Sequence, residues 1–127
     1  MSDITTRGVR VEVRSTYLPE RSSPREAHYF FTYRIRISNV GEETVQLVSR
    51  HWIITDADNQ VQEVRGMGVV GEQPVLKPGD TFEYSSGSSI PTAVGTMRGS
   101  YQLVAEDGTR FEASIPEFTL SVPRVLH

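Results

Sequence analysis

Tyr29-Phe30-Phe31-Thr32-Tyr33-Arg34-Ile35-Arg36-Ile37-Ser38 repeats its apolar side chains with period two. An extended backbone sends residues i, i+2 and i+4 to the same side, so the stretch predicts a strand half-buried on one face. Tyr29, Phe31, Tyr33, Ile35 and Ile37 take the core side, and Phe30, Thr32, Arg34, Arg36 and Ser38 the other. Upstream, Val9, Val11 and Val13 alternate with Arg10, Glu12 and Arg14 on a strand running toward Tyr17, which the Ser- and charge-rich stretch from Pro19 to Pro24 ends. Downstream, Asn39-Val40-Gly41-Glu42 turns the chain into a third strand over Val45 to Thr55. There the apolar parity changes between Leu47 and Trp52, which predicts a bulge near Ser49 or Arg50.

The same pattern continues to the C-terminus. Asp58-Asn59 reads as a hairpin turn into Val61 to Arg65, and Leu76-Lys77-Pro78-Gly79-Asp80 as a tight turn before the inward residues Phe82 and Tyr84. Ser85 to Thr96 reads as a Ser/Gly-rich connection. Met97, Gly99, Tyr101 and Leu103 alternate again, Asp107-Gly108 signals a two-residue hairpin, Phe111, Ala113 and Ile115 return, and Pro116 interrupts before Phe118 and Leu120. Helical periodicity is absent. About seven or eight strands at this spacing predict an all-β immunoglobulin-like or fibronectin type III-like sandwich, with a closed barrel as the alternative. The expected core holds the five inward residues of the second strand together with Trp52, Ile54, Phe82, Tyr101 and Leu103. Trp52 and Tyr101 sit where such sandwiches place a core tryptophan and a corner tyrosine.

The chain's 127 residues fit one domain, 1–127, able to bury about two thirds of its unfolded surface. With 13 basic and 16 acidic residues, a formal charge of −3, it is not a nucleic-acid or anionic-membrane binder driven by electrostatics. The absence of cysteine excludes disulfides, thiolate catalysis and cysteine–zinc sites. No signal-peptide or membrane-spanning pattern is present, so a cytoplasmic location is expected.

Gly66-Met67-Gly68-Val69-Val70-Gly71 carries the letters of a phosphate-binding loop. A dinucleotide fingerprint must open a helix, whose amide dipoles hold the pyrophosphate, and here Glu72-Gln73-Pro74-Val75-Leu76-Lys77-Pro78 follows instead. Two readings stay open. Arg65 with Gly66, Gly68 and Gly71 forms an anion cradle of backbone amides for a nucleotide or pyrophosphate, with Arg98 near, or the glycines serve positive φ and close backbone approach. Asp56-Ala57-Asp58-Asn59-Gln60 resembles the start of a calcium loop, but Val61 stands where glycine is required and Met67 where a bidentate Glu is required. His28, His51 and His127 have no metal spacing, and Ser85, Ser86, Ser88 and Ser89 lie in no nucleophile motif. Opposite-charge cross-strand pairs are expected for Arg34 and Arg36, and Phe30 beside them belongs either to an exposed partner patch or under a further strand.

Arg50-His51-Trp52-Ile53-Ile54-Thr55-Asp56, Val64 through Pro74, Leu76-Lys77-Pro78-Gly79, Phe82, Tyr84-Ser85-Ser86-Gly87 and Gly95-Thr96-Met97-Arg98-Gly99-Ser100-Tyr101 together resemble the ApaG family. The resemblance spans nearly the whole chain and departs at Met67, where the family often carries an acidic residue. It implies a fibronectin type III-like sandwich, a cytoplasmic bacterial protein, no established catalytic residues, and an association with cobalt resistance, magnesium efflux and an operon encoding a diadenosine tetraphosphate hydrolase. Similar domains in eukaryotic F-box and DNA-polymerase-delta-interacting proteins look like protein-interaction modules. The expectation is therefore a non-enzymatic domain without cofactor that meets an unidentified protein partner through its sheet faces or edges. The competing expectation is a nucleotide or pyrophosphate sensor at Gly66, Gly68 and Gly71.

Overall fold

The computed structural model describes residues 2–123, so His127 lies outside the described residues. The strands are β1 (Ser2–Thr6), β2 (Val9–Tyr17), β3 (Tyr29–Asn39), β4 (Val45–Asp56), β5 (Val61–Met67), β6 (Val75–Leu76), β7 (Thr81–Ile90), β8 (Val94–Ala105) and β9 (Arg110–Ser121). One antiparallel sheet runs β1-β2-β3-β7, and the second runs β5-β4-β8-β9 with β6 also paired to β4. Two separate sheets make the fold a sandwich rather than a closed barrel. Pro19–Arg21 and Pro24–Glu26 form single 3₁₀ turns where the sequence breaks between β2 and β3.

Strand parity sets the interior. Val9, Val11 and Val13 of β2, Phe31, Tyr33, Ile35 and Ile37 of β3, and Trp52, Tyr101 and Leu103 of the opposing sheet are buried, as their alternation requires. Tyr29 and Phe82 reach the same interior but stay partly exposed at its margin. At the centre Tyr33 packs on Trp52 with ring centroids 5.3 Å apart, and Phe118 meets Trp52 edge-on at 5.9 Å. Outside, Arg34 and Arg36 both pair with Glu83 of β7, the cross-strand fate expected of them. Phe30 is covered by its own chain, with the Arg21 guanidinium 4.1 Å above its ring.

Several local expectations are corrected. A strand, β1, precedes the first one expected and pairs with β2 through the Arg7-Gly8 turn, both residues at positive φ. Ser85 to Ile90 is the second half of β7, hydrogen-bonded to β3, because an edge strand tolerates serine and glycine that a central strand rarely carries. Pro116 does not end a strand. A register shift opposite Arg98 absorbs Pro116 and Glu117 as a bulge in the sheet's edge strand β9. The hairpin at Asp107-Gly108 has three loop residues, 106–108, closed by the Ala105 amide on the Thr109 carbonyl. Tyr101 lies in the middle of β8, and its hydroxyl meets that of Tyr84 across the sandwich rather than forming a backbone corner.

Trp52 is 3% exposed and packed against two further rings. Truncation to alanine removes the indole from that cluster and is expected to cost about 3–5 kcal/mol, measured by urea denaturation, against less than 1 kcal/mol for a surface change such as Glu106→Ala.

Candidate functional site

The bulge in β4 falls at Val48, one residue before the expected position: Leu47 pairs with Leu103, and Ser49, not Val48, pairs with Gln102. One extra residue flips every later side chain to the opposite face. Arg50 therefore shares the inward parity of Trp52 and Ile54, and a guanidinium enters the space between the sheets. Val48 leaves a carbonyl without a ladder partner. It accepts the Gly68 amide at 2.7 Å and the Gln73 side-chain amide at 3.0 Å, and the neighbouring Leu47 amide donates to the Pro74 carbonyl at 3.0 Å.

The glycine loop folds over this bulge. Arg50 Nη1 donates to the Met67 and Gly68 carbonyls at 3.1 and 2.8 Å. Gly66 lies in β5 directly opposite Arg50, where a Cβ would stand 2.7–2.8 Å from Cζ and both terminal nitrogens of the guanidinium. Only a residue without a side chain allows the group to lie flat there. Gly68 has φ +65, and a Cβ on it would fall 2.3 Å from the Glu72 carbonyl oxygen. Val69 and Glu72 exchange amide–carbonyl bonds of 2.8 and 2.9 Å around Val70 and Gly71, whose φ values of 43 and 81 are both positive as in a type I′ turn. Val69 is fully buried and anchors the turn, whereas Val70 is 58% exposed.

Of the residues singled out from sequence, Gly66, Gly68 and Gly71 thus lie in one loop, but Arg65 points to the outer face of the sheet, exposed, in the row of His51 and Ser100. Arg98 lies on that outer face too, beyond β4, about 10 Å across two strand spacings. The arginine at the loop is Arg50. The sequence signal for it was the parity change between Leu47 and Trp52, which places it inward once the bulge is set before it. The amides of Gly68, Val69 and Glu72 are engaged within the chain.

Three phenols share the space between the sheets with this guanidinium. Burial between the sheets raises the pKa of Tyr33, Tyr84 and Tyr101, and Arg50 in each case partly opposes the rise. The Tyr84 and Tyr101 hydroxyls bond each other, and Ser86, directly cross-strand from Tyr33, faces the same space. Elsewhere, the Asp56 carboxylate accepts the Asp58 and Gln60 amides at 2.8 and 3.0 Å, so it caps its own turn rather than opening a calcium loop. His51 Nε2 meets Glu63 Oε1 at 3.2 Å on the outer face. Among the described residues no group of three or more His, Cys, Asp or Glu side chains converges to hold a metal ion. No described helix is long and apolar enough to cross a membrane.

A family model for the ApaG domain matches residues 19–105. The Protein ApaG of Dechloromonas aromatica is 59% identical over 127 residues, the whole of both chains, and that of Nitrosospira multiformis is 63% identical over 119 residues, 94% of each. A crystal structure of a Bordetella pertussis protein given the name ApaA matches with a TM-score of 0.89 at 54% identity, covering 92% of this chain and 95% of that one.

Gly68→Ala meets both a backbone clash and a left-handed φ, whereas Gly71, with φ +81, has open space around its Cβ direction. Urea denaturation is expected to show Gly71→Ala losing about 1 kcal/mol and Gly68→Ala distinctly more. The tyrosines set a pH dependence. Their folded pKa values lie above the ordinary value of about 10, so their contribution is intact below that value and is lost as pH rises beyond it. Urea midpoints should stay level up to about pH 9 and fall above pH 10, with a shallower fall in Tyr84→Phe.

Proposed function

The chain belongs to the ApaG family, and we propose that it acts in the cytoplasm as a non-enzymatic protein-interaction domain. The observation that carries this reading is how the glycine loop is turned. Its Gly68, Val69 and Glu72 amides and its Met67 and Gly68 carbonyls close on the chain itself, while Met67, Val70 and Val75 turn apolar side chains to solvent, 67%, 58% and 55% exposed. A phosphate site needs the reverse, with amides outward and side chains withdrawn. Exposed apolar side chains rimmed by polar ones suit a protein surface instead.

Val70 adds weight. A β-branched residue at positive φ is strained, and asparagine or glycine would relieve the strain, so a valine held there with its side chain in solvent is consistent with a contact residue. Among the described residues no serine is hydrogen-bonded to a histidine base: His51 Nε2 meets Glu63 on the outer face of one sheet, Ser100 Oγ in the same row accepts from the Gln102 side-chain amide at 2.9 Å, and the serines of β7 belong to the other sheet. The association with cobalt resistance and magnesium efflux would then run through a partner protein rather than through metal held by this chain.

Val70→Asn is expected to raise stability by about 0.5–1 kcal/mol while weakening partner binding, the exchange typical of functional strain. A photo-crosslinking residue in place of Met67 should give a discrete protein adduct in cells, lost on Val70→Asn. No adduct, together with saturable pyrophosphate or nucleotide binding confined to residues 65–72 and abolished by Arg65→Ala, would establish the sensor reading in its place.

A further inference from the structure

The sandwich is closed on one side and open on the other. At the closed side Ser15 of β2 donates to the Thr119 carbonyl of β9, and the Ser114 amide of β9 to the Thr6 hydroxyl of β1. At the other side β5 and β7 are the last strands of their sheets, so both present unpaired backbone edges among the described residues. The inward positions of β7 facing this opening include Ser86 and Ser88, and both are only half-buried. Farther along, Ile54, Gln62 and Ile90 line a cleft between the two strands. Serines at two successive inward positions of an edge strand present hydroxyls, rather than hydrocarbon, to this part of the opening.

Arg50 stands at this opening. It is half-buried and makes no ion pair among the described residues, an uncommon state for a charge between two sheets. The loop carbonyls engage Nη1 alone. Nε and Nη2 have no acceptor in the described chain, and since no buried side-chain nitrogen there lacks a partner, both reach solvent. The phenols supply a further donor. In a pair of hydroxyls only one hydrogen lies between the oxygens, so either Tyr84 or Tyr101 has an O–H to donate elsewhere. Tyr84, at 8% exposure against 0% for Tyr101, is the one nearer the opening.

We propose that Arg50, Tyr84 and Ser86 form an oxyanion site in the opening between β5 and β7, and that its ligand is a carboxylate carried by an extended segment of a protein partner. The source of the carboxylate rests on the interaction-domain reading. The charge argues for carboxylate over phosphate: one guanidinium with neutral hydroxyls matches a single negative charge, and the other loop-side arginine, Arg65, faces the outer surface. The free edges argue for an extended segment, which pairs by main-chain hydrogen bonds while its alternate side chains enter the slot.

Two capped five-residue peptides, with glutamate or glutamine between valines and threonines, test the site by chemical-shift titration of the labelled full chain, with inorganic pyrophosphate as a third probe. The glutamate peptide is expected to shift the Arg50 Nε–Hε signal and the Gly66, Ser86 and Ser88 amides saturably, and the glutamine peptide to bind about tenfold more weakly. Ser86→Ala, which leaves the carbonyl contacts of Arg50 in place, should weaken the glutamate peptide several-fold, and Arg50→Lys should weaken it about tenfold if its spectrum stays native. Equal binding of the two peptides, no response at Arg50, or pyrophosphate binding at these residues more tightly than the peptide overturns the proposal. A Met67 crosslink that persists when Arg50 gives no response sinks the carboxylate site and leaves the interaction domain standing. Absence of both sinks the two together.

Discussion

One inserted residue organises this molecule. The bulge at Val48 turns Arg50 from the face its sequence position would give it to the interior, and much of the surrounding structure answers that turn. A guanidinium between two sheets needs acceptors and needs space. The Met67 and Gly68 carbonyls supply the first, and the missing side chain of Gly66 supplies the second. The bulge in turn exposes a carbonyl at Val48 that Gly68 and Gln73 satisfy. Bulge, arginine and loop are therefore one unit, and a change in any of them unsettles the others.

That unit lies at the open side of the sandwich. On the closed side, β9 hydrogen-bonds toward β1 and β2, and the valines of β2 fill the space between the sheets. On the open side the interior grades from Trp52 and Tyr33 through a layer of phenols to serines and an arginine that reach water. The gradient from apolar to hydroxyl to charge lets a half-open sandwich keep its groups solvated without exposing its aromatic centre. It also means that the most polar part of the interior is the part most accessible from outside.

The architecture was legible in the sequence because period two is a local signal: β2, β3 and the inward rows of β4 and β8 follow from it directly. The bulge was legible to within one residue, since a change of apolar parity requires an insertion somewhere between Leu47 and Trp52. The loop was not. Nothing in Gly66 through Gly71 says which arginine meets it, because the partner stands on the neighbouring strand and its facing depends on that bulge. Arg65 was the arginine at hand in sequence, and strand parity sends it outward. Ser85 to Ile90 was misread for a related reason: serine and glycine signal a loop locally, and only pairing with β3 holds them extended.

The letters G-x-G-x-x-G can serve opposite electrostatic ends, and the deciding variable is which backbone dipole faces the charge. Before a helix N-terminus the amides converge, and the loop holds an anion. Here the loop leaves a strand and returns through a tight turn. Two successive carbonyls, of Met67 and Gly68, converge on a cation, while the amides of Gly68, Val69 and Glu72 bond within the chain. The glycines are needed in both geometries for the same steric reasons, close approach and positive φ, so their spacing cannot report the sign of the charge. What reports it is the residue opposite. In this chain that residue is an arginine belonging to the fold itself, which carries positive charge to the edge of the interior and leaves two of its nitrogens facing out.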